Sequence, residues 1–252
     1  MAPAKEVHFF DSRNASARGT AWYERQFPSD PEAVAVGEYT PAYLWTLGTE
    51  ADSLQQRHKL GIAERVAAGY PDVQLIVSFR HPVERAVSGL AENVRWGKVP
   101  PGMPLFEAAK LRPGIVEKSR YPSNLAAWLD HFPRDRFLFL IYEEDIAPDT
   151  AKQQTLQRVF EHIGVDPSFE PEGIFDRRNI RLPPFELRRR NARRRYQLLM
   201  SLVPPPLRTS RIWNLPSDPE AERVLWEMFE PDVDRLARVI GRPLPWQPPA
   251  SA

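Results

Sequence analysis

Two apolar runs constrain this chain of 252 residues more than any other feature. Val73 to Phe79 is β-rich and long enough for one buried strand, and Arg136-Phe-Leu-Phe-Leu-Ile-Tyr142 is a continuous run read as a second, parallel one. Helical patterns lie between and after them. Strands joined through helices imply a parallel α/β sheet with right-handed crossovers. The first run leads into Arg80-His81-Pro82, and Pro82 suits the first turn of a helix, where its missing N–H costs nothing. Val83, Val87, Leu90 and Val94 then recur at helical spacing and would pack that helix on the sheet. Arg85 and Ser88 fall on its polar side. An arginine at a strand end, a helix amino terminus and a serine one turn in make a corner suited to a phosphate. An ordinary strand-to-helix turn with a surface arginine and serine would read the same way.

Composition narrows the class. The length suits a single domain with a core large enough to need no staples. Cysteine is absent, so neither disulfides nor a thiolate metal site contribute, and a reducing compartment is compatible. A formal net charge of +1 argues against nucleic acid as the main partner. No apolar stretch approaches the roughly 18 residues of a membrane span, and no secretory signal opens the chain. The 27 prolines cluster in connections such as Val203-Pro-Pro-Pro206, where they punctuate rather than disorder the chain. The expectation is a soluble, cytoplasmic, single-domain protein of unread oligomeric state.

The remaining elements follow from periodicity. Helices are expected over Leu60 to Ala68, Pro82 to Val94, Leu105 to Lys110, Pro122 to Phe132 and Thr150 to Ile163, the last stopped by Gly164. Leu156, Val159, Phe160 and Ile163 would supply that last apolar face. Pro41 restricts Thr40 to extended angles, and Gly97 to Pro104 is a Pro/Gly loop. The last third is helical and proline-broken, with helices over Phe185 to Leu202 and Asp218 to Ile240. In the second of these, Leu225, Met228, Phe229, Val233, Leu236 and Val239/Ile240 fall at core spacing.

Lys5-Glu6-x-His8-Phe9-Phe10-Asp11 precedes all of this, and alone it would pass for a charged arm with two core aromatics. Taken with Arg80-x-Pro82-x-x-Arg85-x-x-Ser88, it resembles the PAPS-dependent sulfotransferases, in the branch of the heparan sulfate O-sulfotransferases and their bacterial relatives. Gly37-Glu38-x-Thr40-Pro41-x-Tyr43 and the block from Tyr121, Leu125 and Trp128 to Tyr142-Glu143-Glu144 extend the resemblance over most of the chain. The resemblance implies a P-loop-NTPase-like parallel sheet flanked by helices, and sulfuryl transfer from PAPS to an acceptor hydroxyl, leaving PAP. It implies Glu6 as general base with His8 and Asp11 beside it; the chemistry needs such a group, because an alcohol must lose its proton as it attacks. It further implies Arg80, Ser88 and Arg85 as PAPS-binding residues, joined by Arg177 and Arg178 from an arginine-rich segment that also reads as a solvated helix. Tyr121 and Tyr39 would face the acceptor, a small molecule or a glycan, although Tyr121 could equally be a core aromatic at a helix start. No metal, nucleic acid or membrane is called for.

Two departures stand out. Tyr39 occupies a position where many members have lysine. The family also opens with a strand, a G-x-x-K-[SG]-G-T-[ST] loop for the 5′-phosphosulfate and a helix, all upstream of K-E-x-H-F-F-D, and here four residues precede Lys5. The expectation is therefore one sulfotransferase-like domain over residues 1–252, lacking the family's first strand, loop and helix. Its alternative is a catalytically impaired remnant that binds a 3′-phosphonucleotide or an anionic glycan.

Overall fold

A computed structural model describes residues 6–27, 30, 32–46, 61–175 and 218–249. In chain order the elements are α1 (Arg13–Ser16), α2 (Thr20–Glu24), a 3-10 turn (Pro41–Leu44), α3 (Ile62–Gly69), β1 (Leu75–Phe79), α4 (Pro82–Arg95), α5 (Leu105–Leu111), α6 (Gly114–Glu117), α7 (Tyr121–Leu129), β2 (Phe137–Ile141), α8 (Asp149–Ile163) and α9 (Pro219–Ile240). The chain divides into two compact units. One holds Met1–His81, Arg120–Ile174 and Glu230–Trp246; the other holds Pro82–Ser119, Phe175–Phe229 and Gln247–Ala252.

The first unit carries the sheet. β1 and β2 are parallel, with Leu75 opposite Phe137 and Phe79 opposite Ile141, as the two apolar runs imply. The strands differ in burial. In β2, Phe137, Phe139, Leu140 and Ile141 are all buried, which is the pattern of a strand covered on both faces. β1 alternates instead: Phe79 is fully buried while Ile76 is 43% exposed. The expectation of a fully buried first strand is corrected here, because only one of its faces is covered among the described residues. A chain of aromatic contacts forms the core beside the strands. Trp128 stacks on Phe132, Phe137 on Phe139, and Phe79 lies 5.7 Å from Phe139 and 5.0 Å from Tyr121.

A π-helical turn, Tyr142–Ile146, follows β2 directly. Four acidic or aromatic side chains thereby leave the strand end in quick succession, and Asp145 folds back so that its carboxylate accepts the Ile141 N–H at 2.6 Å. α8 then ends as the sequence requires: Gly164 is left-handed (φ 73), and the Val165 N–H reaches back to the Phe160 carbonyl. Its expected apolar face is only half-buried, and Thr155 is the one buried residue of that helix.

In the second unit, Pro82, Val83, Ala86 and Leu90 are the buried residues of α4; of the expected stripe Val83 and Leu90 are buried, while Val87 and Val94 are half-buried. Leu105 and Ala108 of α5 and Ile115 and Val116 of α6 are buried with them. α9 runs through Pro231 without a break, its residues up to Phe229 counted in this unit and the rest in the first. Leu225, Phe229 and Leu236 are fully buried, as their spacing predicts. The helix expected over Phe185 to Leu202, together with Arg177 and Arg178, lies outside the described residues.

Candidate active site

The site grows from a short loop whose two phenylalanines are driven into an aromatic cluster. Phe9 stacks on Tyr23 at 4.7 Å, and Phe10 meets Tyr23, Tyr43 and Tyr70 edge-on. Consecutive side chains can both point inward only if the backbone turns sharply. His8, just before them, has φ 55, the only non-glycine positive φ among the described residues. The backbone polar groups of the turn are met by side chains from elsewhere in the same unit. Phe9 and Phe10 N–H groups both donate to the Tyr43 hydroxyl, at 2.8 and 3.3 Å. The Phe10 carbonyl accepts from Arg65 Nη2 at 2.7 Å, and the Phe9 carbonyl accepts from the Ser16 hydroxyl.

This turn brings Glu6, His8 and Asp11 together. His8 Nε2 lies 3.0 Å from Glu6 Oε2, and His8 Nδ1 lies 3.1 Å from each Asp11 oxygen. Asp11 is buried, at 6% exposure, whereas the Glu6 and His8 side chains are 34% and 46% exposed. The imidazole thus bridges an accessible carboxylate and a buried one. Both ring nitrogens donate at once in the imidazolium form; a neutral tautomer satisfies one carboxylate. A reachable carboxylate hydrogen-bonded to an imidazole that a third group orients is an arrangement built for proton transfer.

Arg80 directly follows β1 and is held from three sides within the first unit. The Tyr121 hydroxyl donates to the Arg80 carbonyl at 2.7 Å, the next N–H, of His81, donates to Glu143 Oε1 at 2.8 Å, and the Arg80 guanidinium lies 5.3 Å from the centre of the Tyr142 ring. Trp246 Nε1 donates to the other Glu143 oxygen at 2.9 Å. Tyr121 is 5% exposed, the burial of a core aromatic at a helix start, and its hydroxyl fixes the backbone that carries Arg80. Tyr121→Phe leaves that carbonyl without its buried donor and is expected to lower unfolding stability by about 1–3 kcal/mol, read from the urea midpoint at unchanged m-value.

Tyr39 is 56% exposed. In the second unit, Ser88 is exposed on α4. Arg85, one turn before it, has its guanidinium engaged inside that unit: Nε donates to Ser119 Oγ at 2.6 Å, and the Nη groups donate to the Gly114 and Ile115 carbonyls. Ser119 in turn donates to the Pro82 carbonyl at 2.8 Å. Arg85 therefore ties α4 to the α6 segment, where the sequence reading had it among the PAPS-binding residues.

Known proteins place the fold and the kinship. No protein-family profile matches the chain. The human heparan sulfate glucosamine 3-O-sulfotransferase 6 is 32% identical over 173 residues, which is 65% of this chain and 44% of that protein. The mouse heparan sulfate glucosamine 3-O-sulfotransferase 3A1 is 30% identical over 174 residues, 65% of this chain and 39% of that protein. A crystal structure of a sulfotransferase from Alicyclobacillus acidocaldarius superposes with a TM-score of 0.64 at 21% identity, covering 96% of this chain and 85% of that one. The chain is similar to sulfotransferases in sequence and shares the fold of one. It spans less than half the length of the curated relatives it matches. Its fold is the sulfotransferase fold, mixed α/β with a parallel sheet and a helical carboxyl-terminal region.

Several residues that shape the candidate site carry no strong local signal. Trp246 stands alone in a proline-rich tail, yet it is buried beside Tyr121 and His81. Arg65 sits in an unremarkable helix. Glu143 belongs to a quoted motif block, but only the fold brings its carboxylate to the His81 N–H. Among the described residues no cluster of three or more His, Asp or Glu side chains could hold a metal, and no helix is long and apolar enough to cross a membrane.

Proposed function

We propose that this chain transfers a sulfuryl group from PAPS to a carbohydrate hydroxyl, with Glu6 as the general base. The single observation that carries the reading is the His8 imidazole lying 3.0 Å from Glu6 and 3.1 Å from a buried Asp11. The relatives act, by name, on heparan sulfate glucosamine, which favours a sugar acceptor. PAPS, when bound, supplies a sulfuryl group already attached to a good leaving group, the 5′-phosphate.

The residues present fit the 3′-phosphate half of such a donor. Arg80 stands at a strand end with its backbone fixed on both sides, by Tyr121 and Glu143, which suits a forked cation that must meet a phosphate. By the motif that carries the resemblance, Ser88 shares the 3′-phosphate with it. Glu6 takes the acceptor's hydroxyl proton as that oxygen forms its bond to sulfur; the sulfur–oxygen bond to the 5′-phosphate breaks, and PAP departs. Asp11 holds Nδ1 of His8, so that Nε2 points at Glu6 and keeps its carboxylate aimed at the acceptor. A cysteine-free chain is compatible with a reducing, cytoplasmic setting, which belongs to the same reading.

Calorimetric titration with PAP tests the donor half. Saturable binding is expected, and Arg80→Met should weaken it roughly 10- to 100-fold, the weight of one charge-assisted hydrogen bond. Incubation with sulfur-labelled PAPS and a glucosamine-containing oligosaccharide should move label to the sugar. Failure to bind PAP would reject the reading. Binding without transfer would favour the non-catalytic alternative.

A further inference from the structure

We propose that Tyr43 is the positioning residue of this site: by accepting the Phe9 and Phe10 N–H groups, its hydroxyl holds the His8 turn in the one conformation that aligns Glu6, His8 and Asp11. The inference rests on the sulfotransferase reading for its catalytic meaning, but its physical content stands on the loop alone.

A left-handed histidine is not a free choice of the backbone. Such residues are strained and persist where surrounding contacts over-determine them. Two of the contacts here come from one atom. The Tyr43 oxygen receives two consecutive amides, immediately after His8, at 2.8 and 3.3 Å. If the His8 turn relaxed toward ordinary φ, the two amides could no longer point at the same oxygen. Glu6 and Asp11, on either side of the turn, would then move apart from the imidazole.

Tyr43 is itself held by a rigid frame. Pro41 keeps Thr40 extended, the 3-10 turn Pro41–Leu44 follows, and the Tyr43 N–H donates to the Thr40 carbonyl at 3.0 Å. Thr40 Oγ1 donates to Glu38 Oε2 at 2.9 Å, and the Tyr23 hydroxyl donates to Glu38 Oε1 at 2.7 Å. Glu38, Thr40, Pro41 and Tyr43 of the Gly37-Glu38-x-Thr40-Pro41-x-Tyr43 segment thus have a shared purpose, the placement of one phenol oxygen, while Tyr39 between them is exposed. Burial, and then the charge of Glu38, push the Tyr43 phenol well above its ordinary value, so the hydroxyl stays protonated across the working pH range. A plain packing role would need only the ring, which meets Phe10 edge-on at 5.6 Å.

Tyr43→Phe keeps the ring and removes the oxygen. In the full chain without substrate, the ring nitrogen-15 resonances of His8 are expected to move. Under transfer conditions kcat should fall roughly 10-fold or more, as misplacement of a reacting group does, with the KM for PAPS unchanged. Tyr70→Phe serves as the control. It removes a hydroxyl from the same aromatic cluster, one that bonds Glu24 rather than the loop, and should leave the His8 signals in place. Unmoved His8 resonances in a folded Tyr43→Phe chain would overturn the proposal. Should that variant not fold, amide exchange in the unaltered chain decides: Phe9 and Phe10 N–H groups must be protected, and exchange at open-loop rates would refute the clamp. A chain inactive with PAPS but with His8 signals that respond to Tyr43→Phe would reject the sulfotransferase reading and leave the clamp standing.

Discussion

Glu6→Gln is expected to lower kcat for sulfuryl transfer by roughly 10²- to 10⁴-fold, the span attributed to a positioned general base. Glutamine keeps the size of the side chain and can still hydrogen-bond His8 Nε2, so the loop should hold its shape. PAP affinity should not change, because the donor's phosphates are assigned to Arg80 and Ser88 and not to this loop. Single-turnover rates with labelled PAPS, alongside PAP titration, separate the two quantities. A Glu6→Gln chain that transfers at the parent rate would remove Glu6 from the mechanism. Asp11→Asn should be milder. It keeps a hydrogen-bonding group near His8 Nδ1 but replaces a buried carboxylate with an amide that can present either its oxygen or its NH2. A loss in kcat smaller than that of Glu6→Gln is therefore expected, since His8 orients the base rather than taking the first proton itself.

Asp145→Asn should cost about 3 kcal/mol of unfolding stability and leave the chain more weakly dependent on acid. Asp145 is 6% exposed and sits at the centre of a network after β2. Its oxygens accept from the Ile141 N–H at 2.6 Å, from Arg158 Nη1 at 2.8 Å and from Arg242 Nη2 at 2.9 Å, and Arg242 Nη1 also pairs with Glu144 at 3.1 Å. Burial pulls the Asp145 carboxyl upward, but the Ile141 N–H and the two arginines outweigh it and hold it below the usual carboxylate range. The sign follows from that direction. A carboxylate with a depressed folded value contributes stability that is fully present above its unfolded value, about pH 4, and is lost as the pH falls through the lower, folded value. Asparagine cannot carry that charge, and it leaves two arginines facing a neutral group, hence the size of the effect. Urea denaturation at pH 7 and at pH 3 checks both parts: the gap between parent and variant should be large at neutral pH and should shrink on acidification. An equal gap at both pH values would show that the carboxylate's charge is not what matters.

The consequence of this network is local geometry. Asp145 folding back onto Ile141 closes the π-helical turn, and that turn sets Glu143 against the His81 N–H and Tyr142 beneath the Arg80 guanidinium. Stability at Asp145 and placement of Arg80 are thus two readouts of one turn. Weakened PAP binding in Asp145→Asn, at a pH where the variant remains folded, is the expected accompaniment.

Much of the chain could be read without coordinates, for identifiable reasons. Strand β2 and helices α3, α4, α5, α7, α8 and α9 announce themselves through periodicity and local punctuation: Pro82 opening one helix, Gly164 closing another, Leu225, Phe229 and Leu236 at core spacing. Glu6, His8 and Asp11 were legible as a motif, because all three sit within seven consecutive residues, and one turn brings their side chains together. What could not be read is whatever depends on residues distant in the chain arriving at one atom. β1 looked buried on both faces until its covering was seen. The hydrogen bonds of Tyr121 to the Arg80 carbonyl and of Arg85 to Ser119 and its neighbours could not be read from the sequence. Tyr43 reaches back more than thirty residues to the Phe9 and Phe10 amides, and Trp246 about a hundred to Glu143. Composition and short spacings determine which elements form and which chemistry a loop carries, since those are local energies of propensity, burial and charge. Which side chains meet was decided by tertiary structure, because a hydrogen bond has its effect only once both partners share the same few ångströms.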